Sequence, residues 1–418
     1  MSILATGKTI TNKKSATAQS HLPAQKRLAF EKIHGLGNDF VIVDAAVLGT
    51  IFDTDATGSS ALAKQSEPND LAASLRSQLS RLAVQVCDRH KGIGADGLIV
   101  AIRAGHLVGG GSVYAQALKQ FVSQYKDGAS ADFSWIYINS DGSYSTMCGN
   151  GLRCLALFIA RQGWTAGLAQ PEAFKISLSD STVTVKIRSL TGDSTGGGAD
   201  KASVSTQLAP PIFDCEQVPV VYAGASSTVT EMVDTPILLT EGTVYGTAVS
   251  MGNPHVVIFA PNRPHPGEME WAGYPLDMRA GRTIVGQAAK SKKTSLLALS
   301  EQIQSLSLFP SGVNVEWVQV VSPSQVHVYV VERGCGPTLA CASGAAAVVA
   351  AGVKQGLLKR QCCVILPGGN LDVDYLEGDM QDQIELTGDA KFVFEGEILL
   401  DPMALTGGNS VFEAGAKI

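Results

Sequence analysis

Apolar and polar positions alternate in short runs through most of this chain, and only a few stretches change to helical spacing. Ordered sequence is expected from about Leu28. Alternating or continuous apolar runs predict strands at Phe30–Ile33, Phe40–Val43, Leu98–Ala101, Phe133–Ile138 and Phe174–Ile187. Further on, strands are expected at Val218–Tyr222, Ala248–Met251, Val256–Ala260, Val315–Val321 and Val326–Val331. The chain closes with strands at Cys363–Leu366, Leu371–Tyr375, Gln383–Leu386 and Phe392–Leu399. Helical spacing appears at Leu71–Cys87, Leu152–Gln162 and Ser295–Leu308, and Leu339–Val353 reads as a buried helix rich in Ala and Gly.

Loops are expected at Gly49–Asp70, around Gly109–Gly111 and across the proline-rich Pro261–Pro275. The pattern predicts a disordered extension over 1–27, a domain over 28–190, a linker or insertion over 191–210, and a second domain over 211–390. Strands dominate both halves and each half holds one conspicuous apolar helix. That is an α+β arrangement, not a βαβ series.

Composition narrows the function classes. With 418 residues, of which 45% are hydrophobic, the chain can bury a sizeable core. A formal net charge of −6 without a basic stripe argues against nucleic acid as a partner. No apolar run approaches the length of a membrane helix. Eight cysteines in a chain this long do not suggest a secreted disulfide scaffold, so free thiols in the cytoplasm are the default. Organelle import through the N-terminal extension stays open, as does a homodimer.

One unit occurs twice. Asn139-Ser140-Asp141-Gly142-Ser143-Tyr144-Ser145-Thr146-Met147-Cys148-Gly149-Asn150-Gly151 in the first half matches Glu332-Arg333-Gly334-Cys335-Gly336-Pro337-Thr338-Leu339-Ala340-Cys341-Ala342-Ser343-Gly344 in the second. In each, a strand runs into a loop of small residues, a cysteine follows, and an apolar helix begins. The match suggests a duplicated domain. A cysteine at a helix start sits among unpaired N–H groups at the positive end of the dipole, which favours thiolate. The same N–H groups can hold a carboxylate. Two such loops facing each other would put one sulfur on each side of a carboxylate-bearing carbon. Inverting a stereocentre needs a base on one face and an acid on the other, and two thiols can supply both without a cofactor.

Other readings of these cysteines are structural or chemical. Cys148 with Cys154, and Cys335 with Cys341, are spaced by five residues, beyond the two to four of a zinc knuckle. Cys154 and Cys87 read as core residues. A nucleophilic Cys/His enzyme stays open, because His34, His90 and His255 lie in glycine-rich loops.

At these residues the chain resembles the diaminopimelate epimerase family. The matching segments are HGLGNDF (34–40), CDRHKGIGADGLI (87–99), NSDGSYSTMCGNGLRC (139–154), SMGNPHVVIF (250–259), FPSGVNVEW (309–317), ERGCGPTLACASGA (332–345), LPGG (366–369) and VFEGEI (393–398). The resemblance implies interconversion of LL- and meso-2,6-diaminopimelate without pyridoxal phosphate or metal, in lysine and peptidoglycan precursor synthesis. It implies two pseudo-symmetric domains, each a β-barrel-like sheet around a central helix, with the site between them. The C-terminal strand, about 391–403, would return to the first domain.

Carried over by motif position, Cys148 and Cys341 are the acid/base pair, with His255 and Glu332 tuning them or assisting proton transfer. Asn38, Asn139, Asn253, Asn314 and Arg333 would bind the amino and carboxylate groups of an amino-acid substrate. Backbone N–H groups of Gly149, Asn150, Ala342 and Ser343 would cradle its carboxylates. The chain departs from the family in having Pro337 where Glu is frequent, Ala342 where Gly is frequent, and Asp389 where Pro is usual. A racemase of another amino acid in the same superfamily, an inactive relative that binds a ligand, and a structural zinc protein are the competing expectations.

Overall fold

The computed structural model describes residues 26–53, 71–103, 105, 111–125, 131–192, 199–221, 229–260, 295–378 and 382–401. The first half runs β1 (Lys26–Gly35), β2 (Asn38–Asp44), α1 (Ala45–Phe52), α2 (Leu71–Cys87), β3 (Gly97–Arg103), α3 (Val113–Val122), β4 (Phe133–Asn139), α4 (Gly149–Arg161), β5 (Ala173–Ser177), β6 (Thr182–Thr191) and β7 (Lys201–Leu208). The second runs β8 (Thr235–Leu239), β9 (Gly242–Ser250), β10 (Pro254–Phe259), α5 (Leu296–Ser305), β11 (Asn314–Ser322), β12 (Gln325–Glu332), β13 (Gly336–Pro337), α6 (Ala342–Lys354), β14 (Gln361–Leu366), β15 (Gly369–Leu376) and β16 (Gln383–Leu400).

The pairing pattern of β1 to β7 is repeated by β9 to β16. In each half the first two strands are antiparallel, the second and third parallel, the third and fourth antiparallel. The fourth then crosses through a helix to a parallel fifth strand, and two antiparallel pairings follow. This is the duplication announced by the two cysteine loops. In the first half the sheet closes into an eight-stranded barrel, because β16 pairs with both β7 and β1.

β16 joins the halves. Its first part, from Gln383 to Gly388, pairs with β15, Ile384 to Lys391 pairs with β7, and Lys391 to Leu400 pairs with β1. One strand therefore belongs to both sheets. Helices α4 and α6 fill the two sheets. Leu152, Leu155, Leu157 and Ile159 of α4 are fully buried against Phe40, Trp135 and Phe174. The α6 helix is lined by Ala345, Ala346, Ala347 and Val348 against Val328, Val330 and Leu386. Small residues on α6 let the surrounding strands close tightly around it.

Several expectations needed correction. The 191–210 stretch, expected as a linker or insertion, contains β7, whose Ala202, Val204 and Thr206 are buried. Its small polar residues conceal a strand because Ser205 is also buried and bonded to Thr387 Oγ1. Val218–Tyr222 is not a strand up to Val221, since its buried valines sit on a turn after Asp214, and Tyr222 lies outside the described residues. Phe174–Ile187 divides into β5 and β6, with the Leu178 N–H donating to the Ser181 carbonyl at the hairpin. Helix α1 runs into the loop expected from Gly49, and α3 forms where no element was expected; they are capped by Asp44 and Ser112. The expected extension over 1–27 lies outside the described residues apart from Lys26 and Arg27, which begin β1, and so do residues 54–70 and Pro261–Pro275.

Candidate active site

Cys148 and Cys341 are the N-cap residues of α4 and α6. Each adopts extended backbone and turns its sulfur onto the helix it caps. Gly151 N–H donates to Cys148 Sγ at 3.4 Å, and Gly344 N–H donates to Cys341 Sγ at 3.3 Å. A sulfur thus stands where Ser or Asp usually caps a helix. The first N–H groups of each helix, at Gly149 and Asn150 and at Ala342 and Ser343, have no carbonyl behind them within the helix. They are the donors an anion would use.

The two helix starts meet. A Cβ added at Gly149 would lie 2.8 Å from the Ala342 methyl. Gly149 therefore has to be glycine while residue 342 carries a methyl. Asn150 bridges the halves by donating to the carbonyl of Ala340, next to Cys341, at 3.3 Å. The turn between β1 and β2 also reaches across, and Leu36 is buried in the second half's core with φ of 55°. A bulky residue in left-handed backbone is strained, so this turn is held by the contact it makes.

Asn38 is fixed by both ends of its amide. Its Nδ2 donates to Asp96 Oδ2 at 2.7 Å, and its Oδ1 accepts from Asn150 Nδ2 at 3.2 Å and lies 3.7 Å from Cys148 Sγ. Asp96 is held in turn by Arg89, which also binds Asp39. In the repeat, Asn253 occupies the matching position. Its Oδ1 lies 3.0 Å from His255 Nε2, while His255 Nδ1 lies 2.6 Å from Glu316 Oε1. His255 and Glu316 are fully buried.

Glu332 sits at the end of β12 and is half-buried. It accepts from Thr338 Oγ1 at 2.6 Å and is hydrogen-bonded with Cys341. Burial raises its carboxyl above the ordinary range, against the lowering effect of Thr338. Asn314 faces the same end of the sheet, and its Oδ1 accepts from the Arg333 N–H at 2.8 Å. The Arg333 guanidinium is exposed and donates to the Ser311 carbonyl. Asn139 is occupied by its own loop, accepting from Tyr137 OH at 2.7 Å and donating to Ser143 Oγ at 2.9 Å.

A helix start by itself favours thiolate. Here burial works harder in the other direction. It pushes the Cys148 thiol up, opposed by the Gly151 N–H and by Arg153. It pushes Cys341 well above the ordinary value, with Glu332 and Glu316 adding to the rise. Desolvation disfavours any charged form, and nearby carboxylates disfavour a second negative charge.

Three contributors escaped the sequence reading: Asp96, Arg153 and Glu316. The last two carried a readable signal, a charge inside an otherwise apolar element, in NVEWVQV and in GNGLRCLALFIA. Among the described residues, no group of three His, Cys, Asp or Glu side chains is placed to hold a metal ion. No helix among them is long and apolar enough to cross a membrane.

This architecture recurs in solved structures. A hydroxyproline epimerase from Agrobacterium vitis superposes with a TM-score of 0.52 at 13% identity, over 92% of this chain and 96% of that one. A probable proline racemase from Agrobacterium radiobacter K84 gives 0.51 at 14% identity, over 90% and 95%. At such identities the likeness concerns the fold. Sequence relatives carry the class: the diaminopimelate epimerase of Carboxydothermus hydrogenoformans is 31% identical over 373 residues, 89% of this chain and 100% of that one. The chloroplastic diaminopimelate epimerase of Oryza sativa subsp. japonica is 31% identical over 391 residues, 93% of this chain and 85% of its own. The protein is accordingly an isomerase of the racemase and epimerase type. A family model described as diaminopimelate epimerase matches residues 30–195 and 283–393, and the chain belongs to that family.

Proposed function

We propose that the protein interconverts LL- and meso-2,6-diaminopimelate by a two-cysteine acid/base mechanism that uses no cofactor. The observation that carries this reading is the meeting of two cysteine-capped helix starts across the Gly149–Ala342 contact. An α-carboxylate at this junction would accept from the free N–H groups of both helices. Its α-carbon would then lie between the two sulfurs.

In the forward half of the cycle a thiolate removes the α-hydrogen as a proton from one face. The electron pair delocalises into the carboxylate, whose charge the N–H groups stabilise. The opposite thiol then delivers its own proton to the other face. One proton is taken and one is given, so the two cysteines exchange protonation states in each turnover. His255, with Glu316 behind it, and Glu332 stand on the Cys341 side as groups able to adjust that thiol. Asn38 and Asn253 are preorganised by Asp96 and His255 to meet the polar groups of the substrate.

The role belongs to lysine and peptidoglycan precursor synthesis if diaminopimelate is the substrate. The test is proton exchange followed by NMR, in D2O with meso-diaminopimelate, reductant and no added cofactor. Native protein should incorporate deuterium at the α-carbon and form the LL isomer. Cys148→Ala and Cys341→Ala should each lose epimerisation by at least 10²-fold, the scale of general acid–base catalysis. Absence of exchange with this compound, but exchange with another amino acid, would replace the substrate and keep the chemistry. Absence with every amino acid tried would favour an inactive relative.

A further inference from the structure

Arg153 lies five residues after Cys148 in α4 and is wholly buried. A buried guanidinium is ordinarily paired with a carboxylate. Arg153 instead donates through Nη2 to Asn150 Oδ1, while its Nε and Nη1 have no hydrogen-bond partner. Asp389 of β16 favours its charged form but makes no hydrogen bond to it. Asp389 of β16 is committed to Lys201 at 2.7 Å. Cys154 is a core thiol that burial pushes far up. What remains on this side of the cleft is Cys148.

The repeat shows how deliberate the placement is. The position matching Arg153 in α6 is Ala346, fully buried. The reverse holds on the strands. Glu316 of β11 matches Ile99 of β3, because Asn314 pairs with His255 as Gly97 pairs with Phe40. Each packs against the glycine that donates to its sulfur: Ile99 Cδ1 would lie 3.3 Å from a Cβ at Gly151, and Glu316 Oε1 2.9 Å from a Cβ at Gly344. The two half-sites therefore differ by a buried cation on one side and a buried carboxylate on the other. Glu316 Oε2 is likewise without a hydrogen-bond partner.

We infer that Arg153 is a positioning residue that makes the two half-sites electrostatically unequal, so that Cys148 gives up its proton at lower pH than Cys341 in the empty enzyme. The inference deepens the two-cysteine reading and rests on it. Arg153 acts by two routes. Its charge offsets part of the desolvation of a Cys148 thiolate within the same helix turn and a half. Its bond to Asn150 also orients the amide that binds Asn38 and Ala340, which fixes the geometry around both sulfurs. Glu332 opposes this charge from β12, and Tyr137 of β4 faces Cys148 as a neutral phenol. On the other side Cys341 faces Glu332 and Glu316, with His255 beyond them. Gly388 of β16 leaves the space Arg153 occupies, since a Cβ there would lie 3.2 Å from its Nε.

The test reads the ionisation of each cysteine without substrate. Reduced protein would be alkylated with iodoacetamide from pH 6 to pH 11, and modification at Cys148 and Cys341 followed separately by mass spectrometry. In the native protein the Cys148 midpoint should fall at least one pH unit below that of Cys341. In Arg153→Met it should rise by about one unit, a tenfold loss of thiolate below the midpoint, with the Cys341 midpoint little changed. Arg153→Lys should keep most of the native value, because it keeps the charge. Equal native midpoints, or Cys341 ionising first, would overturn the inference. So would a folded Arg153→Met with an unmoved Cys148 midpoint. If Arg153→Met does not fold, the native comparison and Arg153→Lys decide the matter. Failure of exchange with diaminopimelate would count against the proposed reaction and leave these midpoints as they are.

Discussion

Gly149 has no side chain because the Ala342 methyl already occupies the place where its Cβ would go. The contact sets how closely the two helix starts, and so the two sulfurs, can approach. Gly149→Ala should therefore lower kcat about 10²-fold, the scale of a 1 Å misplacement of reacting groups, with less effect on the fold. Ala342→Gly in the same chain removes the opposing methyl and should restore most of the activity. A double variant as slow as the single one would show that the contact does not set the geometry. Glu332 yields a prediction of a different kind. Burial raises its carboxyl, so the folded state favours the protonated form. That contribution is complete below the unfolded value of about 4.3 and is lost as pH rises through the higher folded value. Glu332→Gln imitates the protonated form. Its melting temperature should equal that of the native protein near pH 4 and exceed it by roughly 1–3 °C at pH 8, while activity falls. A constant difference across pH would refute the linkage. The candidate site residues with a motif around them, Cys148 and Cys341 above all, were legible in the sequence as helix-start cysteines. Asn139 was legible as a loop residue, but only the structure shows its amide spent on Tyr137 and Ser143.

At the scale of elements, the long apolar helices and most strands follow directly from periodicity. Helix α4 begins at Gly149, three residues earlier than the apolar spacing suggested, because the Cys148 cap supplies the first acceptor. β7 was hidden since its buried face uses Ala, Ser and Thr as well as Val, which read as linker composition. The turn after Asp214 shows the opposite case, where valines are buried without forming a ladder. The central helix is where stability is concentrated. Leu155→Ala removes a fully buried side chain among Phe40, Trp135 and Phe174. It should cost about 2–5 kcal/mol, seen as a fall in the urea midpoint at an unchanged m-value. A loss under 1 kcal/mol would mean that the surrounding strands collapse onto the space.

For the whole molecule, β16 is the decisive element. Its register pairs it with β15 and β7 in its first part and with β1 in its last. Neither sheet is complete without it, so the halves should unfold together. Calorimetry should give one transition with equal calorimetric and van't Hoff enthalpies, and two resolved transitions would show that the halves are independent. The sequence by itself determined the duplication, the two cysteine loops and the family, because these depend on local residue types in a fixed order. It also determined that each loop leads into a buried helix, since apolar spacing is a local property. The tertiary structure decided which charges stand behind each cysteine. Arg153 and Glu316 lie in different elements and different halves, and their effect depends on burial and on the pairing register, neither of which is written in any single stretch of chain. It decided as well that burial outweighs the helix start in setting the thiols, because desolvation depends on how the chain packs around each sulfur.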